Sequence, residues 1–479
     1  MFAKREEGST GQLLNLCFWY YFFYVLTGIF VKFFVPKVGD MEWLVWSTLG
    51  SNVLCLTVVA IGGWYRLKST NYTTFLGMKI PREFFYIVPS GICTAVVIPT
   101  TTLMYSLPIT VMVAMVIMRG FVIIFGRIVD FIQIKQGILK KKVYWQEDVG
   151  VVIAMLAVSA QIFFERKGGG LDFLKYGPAM VILVSYLVAY FIRIYIMNYY
   201  KNTRPKDAIY DNKGFFGIEQ ISSTITMVLV AWILFNFVNP IQPAADALDW
   251  KSASSHIGQT ISVKGEVVRT EEIGGVTYLY FDKASTGNFS VTIKNENYKS
   301  FTQEPGKLFK GRVIKVTGTI SGDSTVSQME ITGNKDYKIL DLKQLIGFKK
   351  AFTEKHSNWP WQMFFGSFFG AVAPFAVFIF MFKGRTATFA NLANRLTSLI
   401  AGTTATLIIW FTCSGKIAGL THWISQISGL DYELLITKIA KFPKLADWVS
   451  LGLIFVAVYF LSLAEKRRVR ELKQQHELK

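Results

Sequence analysis

One arginine sits where an arginine is expensive. Arg119 lies in the middle of the apolar run ITVMVAMVIMRGFVIIFGRI, from Ile109 to Ile128. A charge at that depth of a bilayer costs at least roughly 2.5 kcal/mol even on lenient insertion scales. Its planar fork of N–H donors matches a carboxylate or a phosphate, so the chemistry it offers is anion binding in a protein-lined cavity. The competing use is an internal pair with a carbonyl or with an intramembrane acid such as Glu219.

Other apolar runs carry polar residues in helical register. Ser90, Thr94, Thr101 and Tyr105 recur near one face of a run interrupted by Pro89 and Pro99. Tyr186, Tyr190 and Arg193 follow at i, i+4 and i+7, and Asn391, Asn394, Arg395, Ser398 and Gly402 make a further stripe. Small and hydroxyl residues in such positions also serve as plain helix-to-helix glue. Arg193 and Arg395 lie nearer the ends of their runs, where an arginine can snorkel to the headgroups. The expected binding set is Arg119 as anchor, lined by Tyr105, Thr101, Thr94, Tyr190, Asn394 and Arg395.

Enzymatic constellations are absent from the sequence. The histidines, His256, His356, His422 and His476, are scattered outside the apolar runs with no acid or cysteine at triad or ligand spacing. Cys17, Cys55, Cys93 and Cys413 show no paired spacing, which argues against both a disulfide framework and a zinc site. No Walker-type phosphate loop occurs. We therefore expect no catalytic residue, no metal and no cofactor.

The elements that must position these residues are membrane spans. With 52% hydrophobic and 17% charged residues, the 479-residue chain has the composition of a polytopic membrane protein. Apolar segments at about Gln12 to Phe34, Trp43 to Tyr65, Phe84 to Met104, Ile109 to Ile128 and Val149 to Phe164 give five spans. Five more lie near Tyr176 to Tyr199, Phe215 to Val238, Trp361 to Phe382, Ala387 to Thr412 and Trp448 to Leu463. The first is too long and aromatic for a cleavable signal and reads as a retained span. The segment from Lys416 to Ala440 carries His422, Asp431, Glu433 and Lys438 and reads as interfacial.

The net charge of +19 is explained by topology. Basic residues cluster in alternate connections, around Arg66 to Arg82, Arg127 to Lys142, Lys201 to Lys213 and Lys383 to Arg385, and in the tail. With about ten spans, all of these fall on the cytoplasmic side together with both termini, as the positive-inside rule requires. The expected location is an integral protein of a bacterial inner membrane.

Between residues 244 and 343 the composition changes to short alternating runs: QTISVKGEVVRT, VTYLYFD, NFSVTIK, RVIKVTGTIS and TVSQMEITG. Turn signals at Gly274-Gly275 and Ser321-Gly322-Asp323 separate five expected strands of a small β-barrel, with a helix in NENYKSFTQE. The domains expected are thus spans one to seven in 1–243, the barrel in 244–343, and spans eight to ten with the basic tail in 344–479. Five strands with a helix after the third resemble an OB-fold of the bacterial kind related to nucleic-acid-binding anticodon-type domains. Acids from Glu266 to Asp341 nearly offset the basic residues there, and topology puts the barrel outside the cytoplasm. A nucleic-acid partner is therefore not expected, although Tyr278, Tyr280 and Phe289 offer a stacking platform.

Ten spans divide as five plus five, and Thr110 precedes Arg119 by the interval that separates Thr386 from Arg395. An odd number of spans per half inverts the second half relative to the first. The stretch PSGICTAVVIPTTTLMYSLPIT and the following VIMRGFVIIFG resemble the drug/metabolite transporter superfamily, in its nucleotide-sugar-transporter-like, EamA-like branch. The resemblance implies a membrane all-α fold of ten helices in an inverted repeat, a central cavity lined by helices one to four and six to nine, and alternating access. It places Arg119 on the arginine of the family's M-L-R-G run and gives helices five and ten to support or to a homodimer interface. Val116-Ile117-Met118 stands where that family often has a glutamine-containing run, and the insert after the seventh span departs from its pattern.

The leading expectation is a secondary transporter for a small polar, anionic metabolite. Two rivals are a membrane-anchored scaffold that binds an extracytoplasmic partner through its barrel and a flippase for a lipid-linked phosphate.

Overall fold

The computed structural model describes residues 8–477 apart from 76, 107–110, 141–142, 165–176, 204–210, 283–288, 302–303, 323–325, 355–357, 429–430, 440–441 and 443–444. The side chains of 102–106, 111–117 and 119, Tyr105 and Arg119 among them, also lie outside the described set. The chain forms two compact units, Met1–Ala231 with Lys355–Lys479, and Trp232–Glu354.

The larger unit is helical. It contains α1 (Thr10–Val38), α2 (Asp40–Ile61), a hairpin of β1 (Tyr72–Phe75) and β2 (Met78–Pro81), α3 (Phe84–Ser106), α4 (Val111–Lys135), α5 (Trp145–Phe164), α6 (Gly177–Thr203) and most of α7 (Asn212–Asn236). Ser9 caps α1 by accepting from the Gln12 amide at 3.2 Å, and Gly39, at φ +90°, separates α1 from α2. Pro89 and Pro99 do not end α3, which runs unbroken through both.

Among the described residues, eight helices are long and apolar enough to cross a membrane, so the chain is a helical membrane protein. Two of the ten expected spans, α4 and α5, are helical but not among those eight. Parts of both helices lie outside the described residues, on which the eight are counted.

The smaller unit begins within α7 and holds the sheet. Its strands are β3 (Leu248–Asp249), β4 (Thr260–Glu266), β5 (Arg269–Ile273), β6 (Val276–Tyr280), β7 (Phe289–Lys294), β8 (Val313–Gly322), β9 (Ser327–Glu330) and β10 (Tyr337–Ile339). A 3-10 turn at Asn295–Ser300 and the short α8 (Pro305–Phe309) stand between β7 and β8, where the sequence suggests a helix. The strands order as β3-β4-β8-β9-β7-β6-β5, with β7 and β9 parallel and the remaining pairs of β4 to β9 antiparallel.

Among the described residues no β4–β5 pair closes this path into a hydrogen-bonded ring, so the expected closed barrel is not formed there. The first expected strand is instead split at Val267 and Val268, whose amides donate to Arg312 O at 2.9 Å and Tyr280 O at 2.8 Å respectively. That divergence lets one stretch of chain bond to β8 on one side and β6 on the other. Val263, Leu279, Val291, Ile293, Ile314, Val316 and Met329 fill the interior with no exposure. The amphipathic α9 (Lys343–Thr353) follows in the same unit.

The chain then returns to the helical unit with α10 (Trp359–Phe380), α11 (Ala387–Cys413), α12 (Ala418–Ser428), α13 (Tyr432–Leu434) and α14 (Leu445–Glu477). The segment read as interfacial is broken into α12, α13 and a π-helical turn at Leu435–Ile439. In the bundle α1 packs on α10 and α11, α3 on α6 and α4, α4 on α5, α6 and α11, α5 on α14, and α11 on α10 and α14.

The tightest crossing joins α2 to α10. A Cβ on Gly366 would stand 2.3 Å from the Ser47 Cα, and one on Gly370 would stand 2.5 Å from the Ser51 carbonyl oxygen. Ser51 Oγ donates to Gly366 O at 2.7 Å and Cys55 Sγ to Gly370 O at 3.2 Å. Lipid tails are as apolar as leucine, so this close packing and the hydrogen bonds it permits hold the pair together.

Gly366→Val should therefore separate α2 from α10 at a cost of about 1–3 kcal/mol, seen as a lowered thermal midpoint in detergent. In the smaller unit Asp336 accepts from the amides of Thr332 (2.7 Å) and Gly333 (3.1 Å) and from the Thr332 hydroxyl (2.9 Å). These bonds, the Thr332 amide first, hold its carboxyl below the usual range. The stabilisation is present above the ordinary carboxylate pKa and is lost as pH falls through the lowered one. Asp336→Asn should loosen this turn at pH 7 by less than about 1 kcal/mol after solvent screening. The difference from wild type should shrink as pH falls below the ordinary carboxylate range, read by amide exchange at Thr332 and Gly333.

Candidate binding site in the helical unit

Helices α3, α6 and α7 converge on an ion pair. Arg193 on α6 donates from Nε to Glu219 Oε1 at 2.8 Å and from Nη2 to Oε2 at 3.1 Å, a side-on bidentate contact. Ser90 and Thr94, one turn apart on α3, donate their hydroxyls to Glu219 Oε1 at 2.7 and 3.2 Å. The side chains of Arg193 and Glu219 are only 10% and 2% exposed. Each charge thus has its counter-charge and the carboxylate accepts from Arg193 and Ser90, with the Thr94 proton shared with Ser90 O, the condition under which an ion pair survives away from water.

Pro89 is followed by Ser90 and Gly91 because α7 passes close there. A Cβ on Gly91 would lie 2.6 Å from the Glu219 carbonyl oxygen, and Ser222 Oγ donates to Val88 O at 3.0 Å. A second polar contact lies between α2 and α7, where Asn52 Oδ1 accepts from Gln220 Nε2 and Thr224 Oγ1, each at 2.8 Å. A small cavity of about 30 Å³ beside it is lined by Asn52, Gln220, Ser51 and Gly370.

The second arginine is treated differently. Arg395 on α11 is 8% exposed, and its guanidinium carbon lies 4.7 Å from the centre of the Tyr190 ring. Four tyrosines lie near it, Tyr190 and Tyr186 from α6 and Tyr20 and Tyr24 from α1. These come as two pairs at i, i+4 with ring centres 5.4 and 5.6 Å apart. Among the described residues Arg395 Nε and Nη2 are buried without an acceptor. Neighbouring Asn394 accepts from the Tyr20 hydroxyl at 3.4 Å, while its Nδ2 is also buried without an acceptor. Arg193 and Arg395 act on one another electrostatically, so the two arrangements form one cluster.

α11 is fixed against α4 below this cluster. Asp130 on α4 is buried and accepts from the Ala387 amide at 2.8 Å and the Thr388 amide at 2.7 Å, a carboxylate at a helix N-terminus. Asn391 Nδ2 donates to Val122 O at 2.9 Å where Gly126 lets the helices touch.

Of the expected binding residues, Thr94, Tyr190, Asn394 and Arg395 are brought to this cluster. Thr101 donates its hydroxyl to Val97 O at 2.7 Å within α3. Tyr105 and Arg119 belong to helices α3 and α4, and their side chains lie outside the described residues. Arg193 and Arg395 do not snorkel, since both are buried among helices. Glu219, considered as a partner for Arg119, is held by Arg193. Sequence reasoning passed over Tyr20 and Tyr24, although their i, i+4 spacing repeats that of Tyr186 and Tyr190. On the sheet, Tyr278 and Tyr280 stack with ring centres 6.2 Å apart and Arg269 covers Tyr280 at 4.3 Å. Phe289 is only 1% exposed and belongs to the core, so it is no part of a platform.

This is a polytopic helical membrane protein with charges buried between its helices. No family model matches the chain. Over 93 residues it is 31% identical to an aspartate–tRNA ligase of Streptococcus thermophilus, a match covering 19% of this chain and 16% of the ligase. The chain thus spans about one sixth of that relative.

Glu219→Gln should strand the Arg193 charge and lower stability by roughly 3–5 kcal/mol. The double variant Arg193→Met with Glu219→Leu should recover most of that loss. Thermal unfolding in detergent compares the two.

Proposed function

We propose that this protein is a secondary transporter that moves a small anionic metabolite across the membrane by alternating access. The observation that carries the reading is the buried cluster itself. Two arginines and one carboxylate sit between α1, α3, α6, α7 and α11, and one guanidinium keeps an unsatisfied donor edge. A helical anchor has no use for such a group, because an intramembrane charge destabilises the span that carries it.

The neighbour pattern supports an inverted repeat of ten spans. Exchange each of α1 to α5 for its counterpart among α6, α7, α10, α11 and α14, and the contacts α1·α10, α1·α11, α11·α14 and α10·α11 become α6·α3, α6·α4, α4·α5 and α3·α4, all of which are made. The seryl-to-carbonyl crossing of α2 on α10 becomes that of α7 on α3, with Ser51 and Ser222 in matching roles. The tyrosine pairs of α1 and α6 correspond, as do the helices bearing Arg119 and Arg395. Repeats of this kind put a substrate site near the midplane between the halves. Charge in the loops supports cytoplasmic termini in a bacterial inner membrane, with the insert on the opposite side. Its parallel β7–β9 pair and split first strand support an OB-like reading.

Flux of labelled anions into proteoliposomes tests the reading. Wild type and a form lacking 244–343 should both transport, and Arg395→Ala should lose at least about tenfold, as expected when a buried charged contact is removed. Absence of flux, with cellular phenotypes that depend on the insert alone, would favour the scaffold. Movement of a lipid-linked phosphate between leaflets would favour the flippase.

A further inference from the structure

The site's charge and geometry point further, to the kind of anion it accepts. We infer that the cluster is built for a monocarboxylate with a planar apolar body, and not for a phosphate or a dicarboxylate. The inference rests on the transport reading above and narrows it.

Charge comes first. Glu219 neutralises Arg193 through both guanidinium nitrogens that face it, and Ser90 and Thr94 complete its acceptor sites. That leaves Arg395 as the uncompensated charge among the described members of the cluster, since its electrostatic neighbours are tyrosines and the already paired Arg193. One negative charge brings the described members of the cluster to neutrality. A second would stay uncompensated in a region of low dielectric, where an isolated ion is strongly disfavoured.

Geometry selects the head group. The unsatisfied atoms of Arg395 are Nε and Nη2, the two N–H groups on one side of the guanidinium. Arg193 uses the same two atoms to hold Glu219, so the molecule already contains a carboxylate bound in this way. A planar carboxylate offers two oxygens at the matching separation. Asn394 Nδ2, on the neighbouring residue, is a further buried donor without an acceptor among the described residues. The unsatisfied groups of these two residues are donors, which suits an oxyanion and not a cation.

The walls select the body. The Tyr190 ring faces the Arg395 guanidinium at 4.7 Å and packs on Tyr186, and Tyr20, Tyr186 and Tyr190 are all buried. Aromatic and conjugated groups pack on such faces by offset or edge contacts.

Benzoate, phenylphosphonate and benzamide carry one ring with a singly charged, a largely doubly charged and a neutral head, and so separate the elements of the inference. Added to the purified full-length protein at pH 8, benzoate should raise the thermal midpoint and compete with transported anions in proteoliposomes. Phenylphosphonate, inorganic phosphate and benzamide should do neither. Arg395→Lys keeps the charge but loses the side-on pair of donors, and should weaken benzoate at least about tenfold. The thermal midpoint of Arg395→Lys without added anion, compared with that of wild type, separates lost binding from a folding defect. Phenylphosphonate or phosphate binding as well as benzoate would overturn the inference while leaving transport standing. Flux of other anions with no effect of benzoate would do the same. Absence of flux for every anion would remove the transport reading beneath it.

Discussion

A charge between apolar helices has to find its opposite, and the Arg193–Glu219 pair is where this bundle meets that demand. The pair fixes α6 to α7 through two parallel hydrogen bonds, and the hydroxyls of Ser90 and Thr94 add α3 to the same point. Because each bond requires a particular turn of each helix, the rotation of three helices is set at once. Removing either partner leaves the other charge buried and unmatched, so the arrangement tolerates joint replacement better than single loss. Arg395 acquires its character from this neighbour: with Glu219 engaged by Arg193, it lies against the Tyr190 ring.

Close approach of backbones makes the geometry possible. Gly366 and Gly370 admit Ser47 and Ser51, Gly91 admits Ser222, and Gly126 admits Asn391. At each crossing a side chain of one helix donates to a carbonyl of the other. Such interfaces hold by packing and hydrogen bonds where the hydrophobic effect between helices is weak. Asp130 does similar work at the start of α11, meeting amide groups that the helix itself leaves unbonded.

Much of the fold was legible because periodicity and hydropathy are local properties. The eight membrane-length helices, the strands β4 to β9 of the insert, though β4 and β5 read as one, and the turn at Gly274-Gly275 can be read from short windows. Partner choice is not local. Arg193 lies only 26 positions from Glu219, yet spacing alone could not decide whether it paired, snorkelled or left Glu219 to Arg119. Phe289 looked like a platform residue because alternation fixes which residues share a face but not which face is covered. The split of the first strand at Val267 was hidden for a related reason, since its sequence stays apolar through the bend. The G-x-x-x-G spacing of α10 and the repeated tyrosine pairs were visible signals that gain meaning only once the helices are set side by side.

The central claim is that the cluster around Arg395 opens in turn to each side of the membrane. Ser398, one turn along α11 and fully buried, is a suitable reporter. A single cysteine there, in a background lacking Cys17, Cys55, Cys93 and Cys413, can be probed with a membrane-impermeant thiol reagent applied to either face of sealed vesicles. The account predicts labelling from both faces and protection from both by benzoate. Labelling from neither face, or from one face only with no change on adding anions, would contradict it.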